Sequence, residues 1–249
     1  MLFLLGILPA VLLLVFIRRK DKVEKEPAGL LVKLFLLGAL STVFAVIVGT
    51  AAEKLIGFFV PLDSTLGIFL NYFFAVALVE ETGKYIMLKK GSWNHPAFNY
   101  TFDAAVYAVT VSLGFATLEN LMYLADGSVH LAILRGVLSV PGHAIDGVYM
   151  GFFYGAAKRC ALLGDDAGQR RNLRFALIVP TLLHGFYDFT LSLGSTFAMI
   201  AFFVFEIIVT IAAVRLVNRL SREDAPMPGT FPEPTAPPFD SNQINRWEP

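Results

Sequence analysis

The chain has 249 residues, of which 56% are hydrophobic and only 16% charged, with 23 phenylalanines and no formal net charge. A soluble domain of this length carries nearer a quarter charged residues, so a water-soluble globule is excluded, and with no basic excess nothing suggests a nucleic-acid partner. A single cysteine, Cys160, excludes an internal disulfide and a multi-cysteine metal site.

Apolar blocks long enough for a helix to cross hydrocarbon, roughly 20 residues, recur near 2–17, 29–52, 66–88, 102–124, 143–163, 174–194 and 196–217. They predict an all-α, polytopic transmembrane helix bundle of about seven spans. The first block lacks preceding basic residues and is followed by Arg18-Arg19-Lys20, which reads as a retained anchor rather than a cleaved signal peptide. Segment 130–142 is too short to span and carries Arg135 at its middle and Pro141-Gly142 at its end. It reads as a short interfacial or re-entrant helix, broken before the fifth span by Pro141. Six prolines between 226 and 238 mark 223–249 as a disordered cytoplasmic tail after a membrane domain over 1–222.

Basic residues set the orientation. Arg18, Arg19, Lys20, Lys22 and Lys25 follow the first span, Lys89 and Lys90 the third, and Arg215, Arg219 and Arg222 the seventh. Lys158, Arg159, Arg170, Arg171 and Arg174 lie around the fifth-to-sixth loop, and the intervening loops hold only Lys54. The N-terminus is therefore expected outside a bacterial cell membrane and the C-terminus in the cytoplasm.

An ionisable residue at the bilayer centre costs a few kcal/mol on insertion scales, so each one needs a reason. The third span holds Glu80, Glu81 and Lys84, the fourth Asp103 and Glu119-Asn120, the fifth His143 and Asp146, the sixth His184 and Asp188, and the seventh Glu206. Glu80 and Lys84, four apart, share a helix face and are expected to pair. Glu81 points about 100° away, so the two glutamates do not face one site equally. Asp188 stands four residues from His184 and is placed to hold its imidazole in one tautomer. His143 and Asp146, three apart, repeat that arrangement more weakly. Gly83, Gly114, Gly142, Gly147, Gly151, Gly155 and Gly185 permit close helix approach. Glu206 has Arg135 as a candidate partner.

Peptide hydrolysis needs an activated water, a proton acceptor and a stabilised oxyanion. Zinc held by two histidines and a carboxylate supplies the first and third, with a free glutamate as base. Here Glu119, His143 and His184 are candidate ligands and Glu80 or Glu81 the base. HExxH is absent, so a metal-free route, with glutamate activating water and histidines binding the oxyanion, stays open. Ser139 lies near His143 but in no nucleophile-elbow context. One conflict stands within this reading. Glu119 and His143 fall near the outer face, whereas Glu80 lies about 14 residues into its span, a depth difference of roughly 10 Å or more.

Four segments carry a family resemblance: VEETGKY (79–85), FDAAVYAVTVSLGFATLENLMY (102–123), RGVLSVPGHAIDGVYMGFFYG (135–155) and LLHGFYD (182–188). They resemble the PrsW family of bacterial membrane proteases, which is distantly similar to the CAAX-prenyl-protease and bacteriocin-processing superfamily. The shared elements are a double glutamate followed by lysine (Glu80, Glu81, Lys84), phenylalanine four before an acid (Phe115, Glu119), and histidines on later spans (His143, and His184 with Asp188). The resemblance implies cleavage of a membrane-anchored substrate, for example a single-pass anti-sigma factor, and leaves metal use open, although PrsW proteins are usually described as metalloproteases. The superfamily relatives work without an obvious catalytic zinc. This chain has Glu119 where they have histidine and Asp188 where they have asparagine, and the more acidic set favours zinc. Two other classes use similar residues: a proton- or ion-coupled transporter, for which no internal repeat is evident, and a non-catalytic scaffold.

Overall fold

The computed structural model describes residues 2–125 and 129–230, and every regular element among them is helical. Helices α1 (Leu2–Lys20) and α2 (Ala28–Phe59) are followed by α3 (Thr65–Leu70), a π-helical turn (Asn71–Ala77) and α4 (Leu78–Ser92), which form one continuous rod. Then come α5 (Asp103–Ala125), α6 (Val129–Val137), α7 (Ser139–Leu162), α8 (Asp166–Ser192) and α9 (Thr196–Arg222). Each of the seven expected spans is a helix. Five stretches, Ala28–Phe59, Thr65–Ser92, Asp103–Leu124, Asp166–Ser192 and Thr196–Arg222, are long and apolar enough to cross a membrane. Of the other two, α1 ends in three basic residues and α7 carries His143, Asp146 and four glycines. Helix α7 packs between α5 and α8 and so presents little of its polar surface to lipid.

The bundle has two ends. Loops 21–27, 93–102 and 163–165 gather at one, which is rich in Lys and Arg; loops 60–64 and 193–195 gather with α6 at the other. Helix α5 is the axis: 78% of its apolar window is buried, against 22–33% for the other four long stretches. Glycines bring α2 onto it. A Cβ at Gly38 would lie 2.0 Å from the Val111 carbonyl oxygen, and one at Gly114 would lie 2.0 Å from that of Phe35. Such reciprocal backbone contact is how helices gain packing energy without a hydrophobic drive. Gly114→Ala is expected to destabilise the bundle by about 1–3 kcal/mol or more, because no side-chain rotation relieves a clash with backbone. Thermal unfolding in detergent measures this, and an unchanged midpoint would contradict the α2–α5 contact. Gly142, in contrast, meets only the Tyr187 ring, at 3.6 Å.

Two sequence expectations change. Pro141 does not break the chain: α7 starts at Ser139, and the interruption falls at Leu138. Pro141 sits in the first helical turn, where a backbone N–H has no intrahelical acceptor to lose. The chain also stays on the bundle past Glu223. Asp224 Oδ1 accepts from Phe102 N at 2.9 Å and Thr101 Oγ1 at 3.1 Å. Met227 N donates to Asn99 O at 2.7 Å, and the Met227 side chain is buried. Residues 231–249, with the remaining prolines of the expected tail, lie outside the described residues. Beneath the 224–227 strap, Asp21 and Glu26 are buried, and the Tyr107 hydroxyl contacts Glu26 and the Ala97 carbonyl. Burial pushes the Asp21, Glu26 and Asp224 carboxyls above the usual carboxylate range.

Candidate active site

The polar residues of five helices meet in the α6-side half of the bundle. The centre is Lys84, which has no exposed side-chain surface. Its Nζ lies 2.6 Å from Glu81 Oε1, 2.9 Å from His143 Nδ1 and 3.8 Å from Glu80 Oε2. The Phe115 ring lies 4.2 Å away. The expected Glu80–Lys84 pair is therefore the longer contact, and the close partner is Glu81, three residues back.

The two glutamates take different positions, as their 100° separation requires. Glu81 is wholly buried and its Oε1 receives both Lys84 and His184 Nδ1, the latter at 2.9 Å. Glu80 faces the interior cavity with 13% of its side chain exposed, and its Oε2 has no hydrogen-bond partner among the described residues. It lies 3.8 Å from His184 Nε2. Asp188 approaches the same nitrogen at 3.2 Å, as its spacing from His184 predicts.

His143 is held differently from expectation. Asp146 makes no hydrogen bond to it, and its ion-pair contact is with His184 Nδ1, at 4.0 Å. The His143 ring instead spans Lys84, at Nδ1, and Glu119, whose Oε2 is 3.0 Å from Nε2. An ammonium can only donate, so Nδ1 accepts from charged Lys84 and Nε2–H donates to Glu119. For His184, Nδ1–H is committed to Glu81. Nε2 and Asp188 Oδ2 are then two acceptors facing each other, an arrangement completed only by a proton or a metal ion between them.

Arg135, on the short α6, closes the other side. Its Nη2 lies 2.8 Å from Glu119 Oε2 and 3.2 Å from Ser139 Oγ, its Nε lies 3.2 Å from Asn120 Oδ1, and its guanidinium stacks 3.9 Å from the Tyr123 ring centroid. Arg135 thus serves Glu119 and not Glu206, the partner expected from sequence. Ser139 is an arginine partner within this network. His95 accepts from the Ala97 backbone N–H, and His130 is exposed; neither lines the cavity.

The depth conflict disappears through helix direction. Helix α4 runs toward the basic end and α5 away from it, and every Cα–Cβ bond leans toward its own helix N-terminus. Glu80 therefore reaches toward the α6 end and Glu119 toward the basic end. Donor atoms of Glu80, Glu119 and His143 come within 4.8 Å of one another, as do those of Glu81, His143, Asp146 and His184. The second grouping encloses Lys84's contacts with Glu81 and His143, so a metal ion there would meet an ammonium. His143 and His184 stand ring to ring at 5.1 Å.

Glu80, Glu119, Arg135, Ser139, His143, Asp146, His184 and Asp188 line one cavity of about 850 Å³, with Glu81, Lys84 and Asn120 behind its wall. It extends along α2 past Thr42 and Thr50, and takes in Asn71 and Tyr72 from the π-helical turn. Those two residues gave no sequence signal, because a widened helical turn has no periodicity distinct from an ordinary one. Arg135 was visible as a charge in an otherwise apolar segment, but its partner lies on another helix.

A family model described as PrsW family intramembrane metalloprotease matches residues 26–215. The relative named Protease PrsW from Oceanobacillus iheyensis is 37% identical over 195 residues, 78% of this chain and 85% of that protein. Those of Halalkalibacterium halodurans and Bacillus subtilis are each 36% identical, over 87% and 80% of this chain and 97% and 88% of their own lengths. No solved structure matches the chain. The matched span encloses the whole cluster and the five helices that carry it, α4 to α8, and the chain belongs to the PrsW family of intramembrane metalloproteases.

Proposed function

We propose that this protease cuts a single-pass membrane-anchored protein, of which an anti-sigma factor is an example, near the extracytoplasmic face, by glutamate-activated water. The observation that carries the reading is Glu80, which lines the cavity next to two buried histidines and whose Oε2 has no hydrogen-bond partner among the described residues. The basic loops support a bacterial inner membrane with the N-terminus outside and the C-terminus in the cytoplasm. The cavity, reaching Glu53, Leu191 and Met199 near the α6 end, then opens toward the outside.

Glu80 is the base: it takes a proton from water as the oxygen attacks the scissile carbonyl, and returns it to the leaving amine. Glu81 is the buried anchor that fixes the His184 tautomer, and Lys84 fixes that of His143. His143 Nε2–H, held by Glu119 at 3.0 Å in the resting site, exchanges that acceptor for the developing oxyanion. The family's metal would be held by His184 Nε2 and Asp188 Oδ2, which face each other at 3.2 Å and which a metal ion completes in place of a proton, with Glu119 as the third expected ligand. The expected ligand His143 fits less well while Lys84 donates to its Nδ1. Zinc in that set would supply Lewis acidity at the carbonyl oxygen and lower the pKa of water.

The test is cleavage of a single-pass peptide in proteoliposomes, read by mass spectrometry alongside elemental analysis. Wild-type protein is expected to carry about one zinc per chain and to lose cleavage on chelation, and His184→Ala to carry none. Undiminished cleavage by the metal-free protein would overturn the zinc assignment. Zinc-loaded protein that leaves every membrane-anchored peptide intact would overturn the substrate class.

A further inference from the structure

Of the carboxyl groups that line the cavity, five have an evident reason to be there. Glu80, Glu119, Asp146 and Asp188 contact Lys84, Arg135, His143 or His184, and Glu53 is exposed at the mouth. The remaining one is Glu206. It lies in the middle of α9, whose mean hydropathy of 2.6 is the highest of the apolar helices, and it makes no hydrogen bond or ion pair among the described residues. Asp146 and Tyr187, an acid and a phenol, line the same cavity, and neither is a cation. Arg135, the one guanidinium on the cavity among the described residues, is engaged by Glu119. A carboxyl group kept in an apolar span without a partner marks a functional position.

Its depth matches that of the site. Glu206 is ten residues from the start of α9 and His184 eight from the end of α8, both at the α6 end. At 1.5 Å per residue these are about 15 Å and 12 Å from that end. The cavity wall that carries Glu206 is apolar and aromatic: Phe202 and Phe205 line it from α9, Leu183 and Tyr187 from α8, and Phe202 packs on Tyr187 at 5.0 Å between ring centroids. This combination suits a long side chain with an apolar stem and a cationic head, since the stem lies along the rings while the head meets the carboxylate.

We propose that Glu206 is a specificity-determining residue that receives a lysine or arginine side chain of the substrate segment occupying the cavity. The substrate is then a membrane-anchored segment with a basic residue near the scissile bond, and the acid surplus along the cavity reinforces the preference. The proposal rests on the cavity being the substrate site.

The test uses full-length protein in nanodiscs and labelled single-pass peptides carrying one lysine, moved position by position, with glutamine and glutamate counterparts. Binding is read by fluorescence anisotropy and cleavage by mass spectrometry. At one position, wild-type protein is expected to bind the lysine peptide about tenfold more tightly than the glutamine peptide. Glu206→Gln, an isosteric change checked for folding by size-exclusion profile, removes that ratio. Glu206→Lys inverts it toward the glutamate peptide at the same position. Two outcomes overturn the proposal: a wild type with no charge preference at any position, and a Glu206→Gln protein that keeps the wild-type ratio. Peptides bound with lysine preference but never cut would count against the proteolytic reading and leave the assignment of Glu206 standing.

Discussion

Glu80→Gln is expected to slow cleavage by about 10²- to 10⁴-fold, the usual contribution of a positioned general base, while zinc content and the thermal midpoint stay close to wild type. The reason lies in the inequality of the two glutamates. Glu80 has an oxygen without a partner, its nearest cation is 3.8 Å away, and its side chain reaches the cavity. An isosteric amide there removes a proton acceptor and little else. Glu81→Gln is expected to abolish cleavage by a different route, since it removes the acceptor shared by Lys84 and His184. The two variants separate in the structural readout: the first folds like wild type, and the second leaves the Lys84 ammonium buried beside a neutral amide. If Glu80→Gln protein lost its zinc, Glu80 would be a ligand and the base would have to be found elsewhere.

Much of this site could be read before any coordinates, and for a physical reason. Charges inside apolar spans are costly enough that each one stands out, so Glu80, Glu81, Glu119, His143 and His184 could be singled out from their positions alone. The contact of Asp188 with His184 was also legible, because i,i+4 neighbours on one helix meet whatever surrounds them. Pairings between helices were not. Lys84 satisfies Glu81 and His143 together, Asp146 turns to His184, and Arg135 takes Glu119 in place of Glu206. These choices depend on helix rotation and direction, which no local spacing encodes. Pro141 misled because the rule that proline breaks helices holds for helix interiors and fails in the first turn. Gly38 gave no such signal: its span brings no acid or histidine to the cluster, yet it is half of the backbone contact with α5.

Lys84→Met is expected to be the most damaging single change in stability. Lys84 and Glu81 form an ion pair 2.6 Å long in which neither side chain is exposed. Removing one partner strands the other charge in a medium that cannot solvate it, which costs about 3–5 kcal/mol. In a chain of this size that corresponds to a fall in thermal midpoint on the order of 10 °C, measurable in detergent by intrinsic fluorescence. The double variant Lys84→Met with Glu81→Gln removes both charges and is expected to recover most of the lost midpoint, since a buried pair replaced by neutral groups is often close to neutral in stability. Cleavage should not recover with it. Without the ammonium, His143 no longer has its Nδ1 lone pair committed, so the Nε2–H needed at the oxyanion is held in only part of the population. Recovery of stability without recovery of cleavage would separate the two duties of Lys84, holding the helices and setting the His143 proton. If the double variant were as unstable as Lys84→Met alone, the loss would come from the ammonium's contacts with the Phe115 ring and His143 and not from the stranded charge.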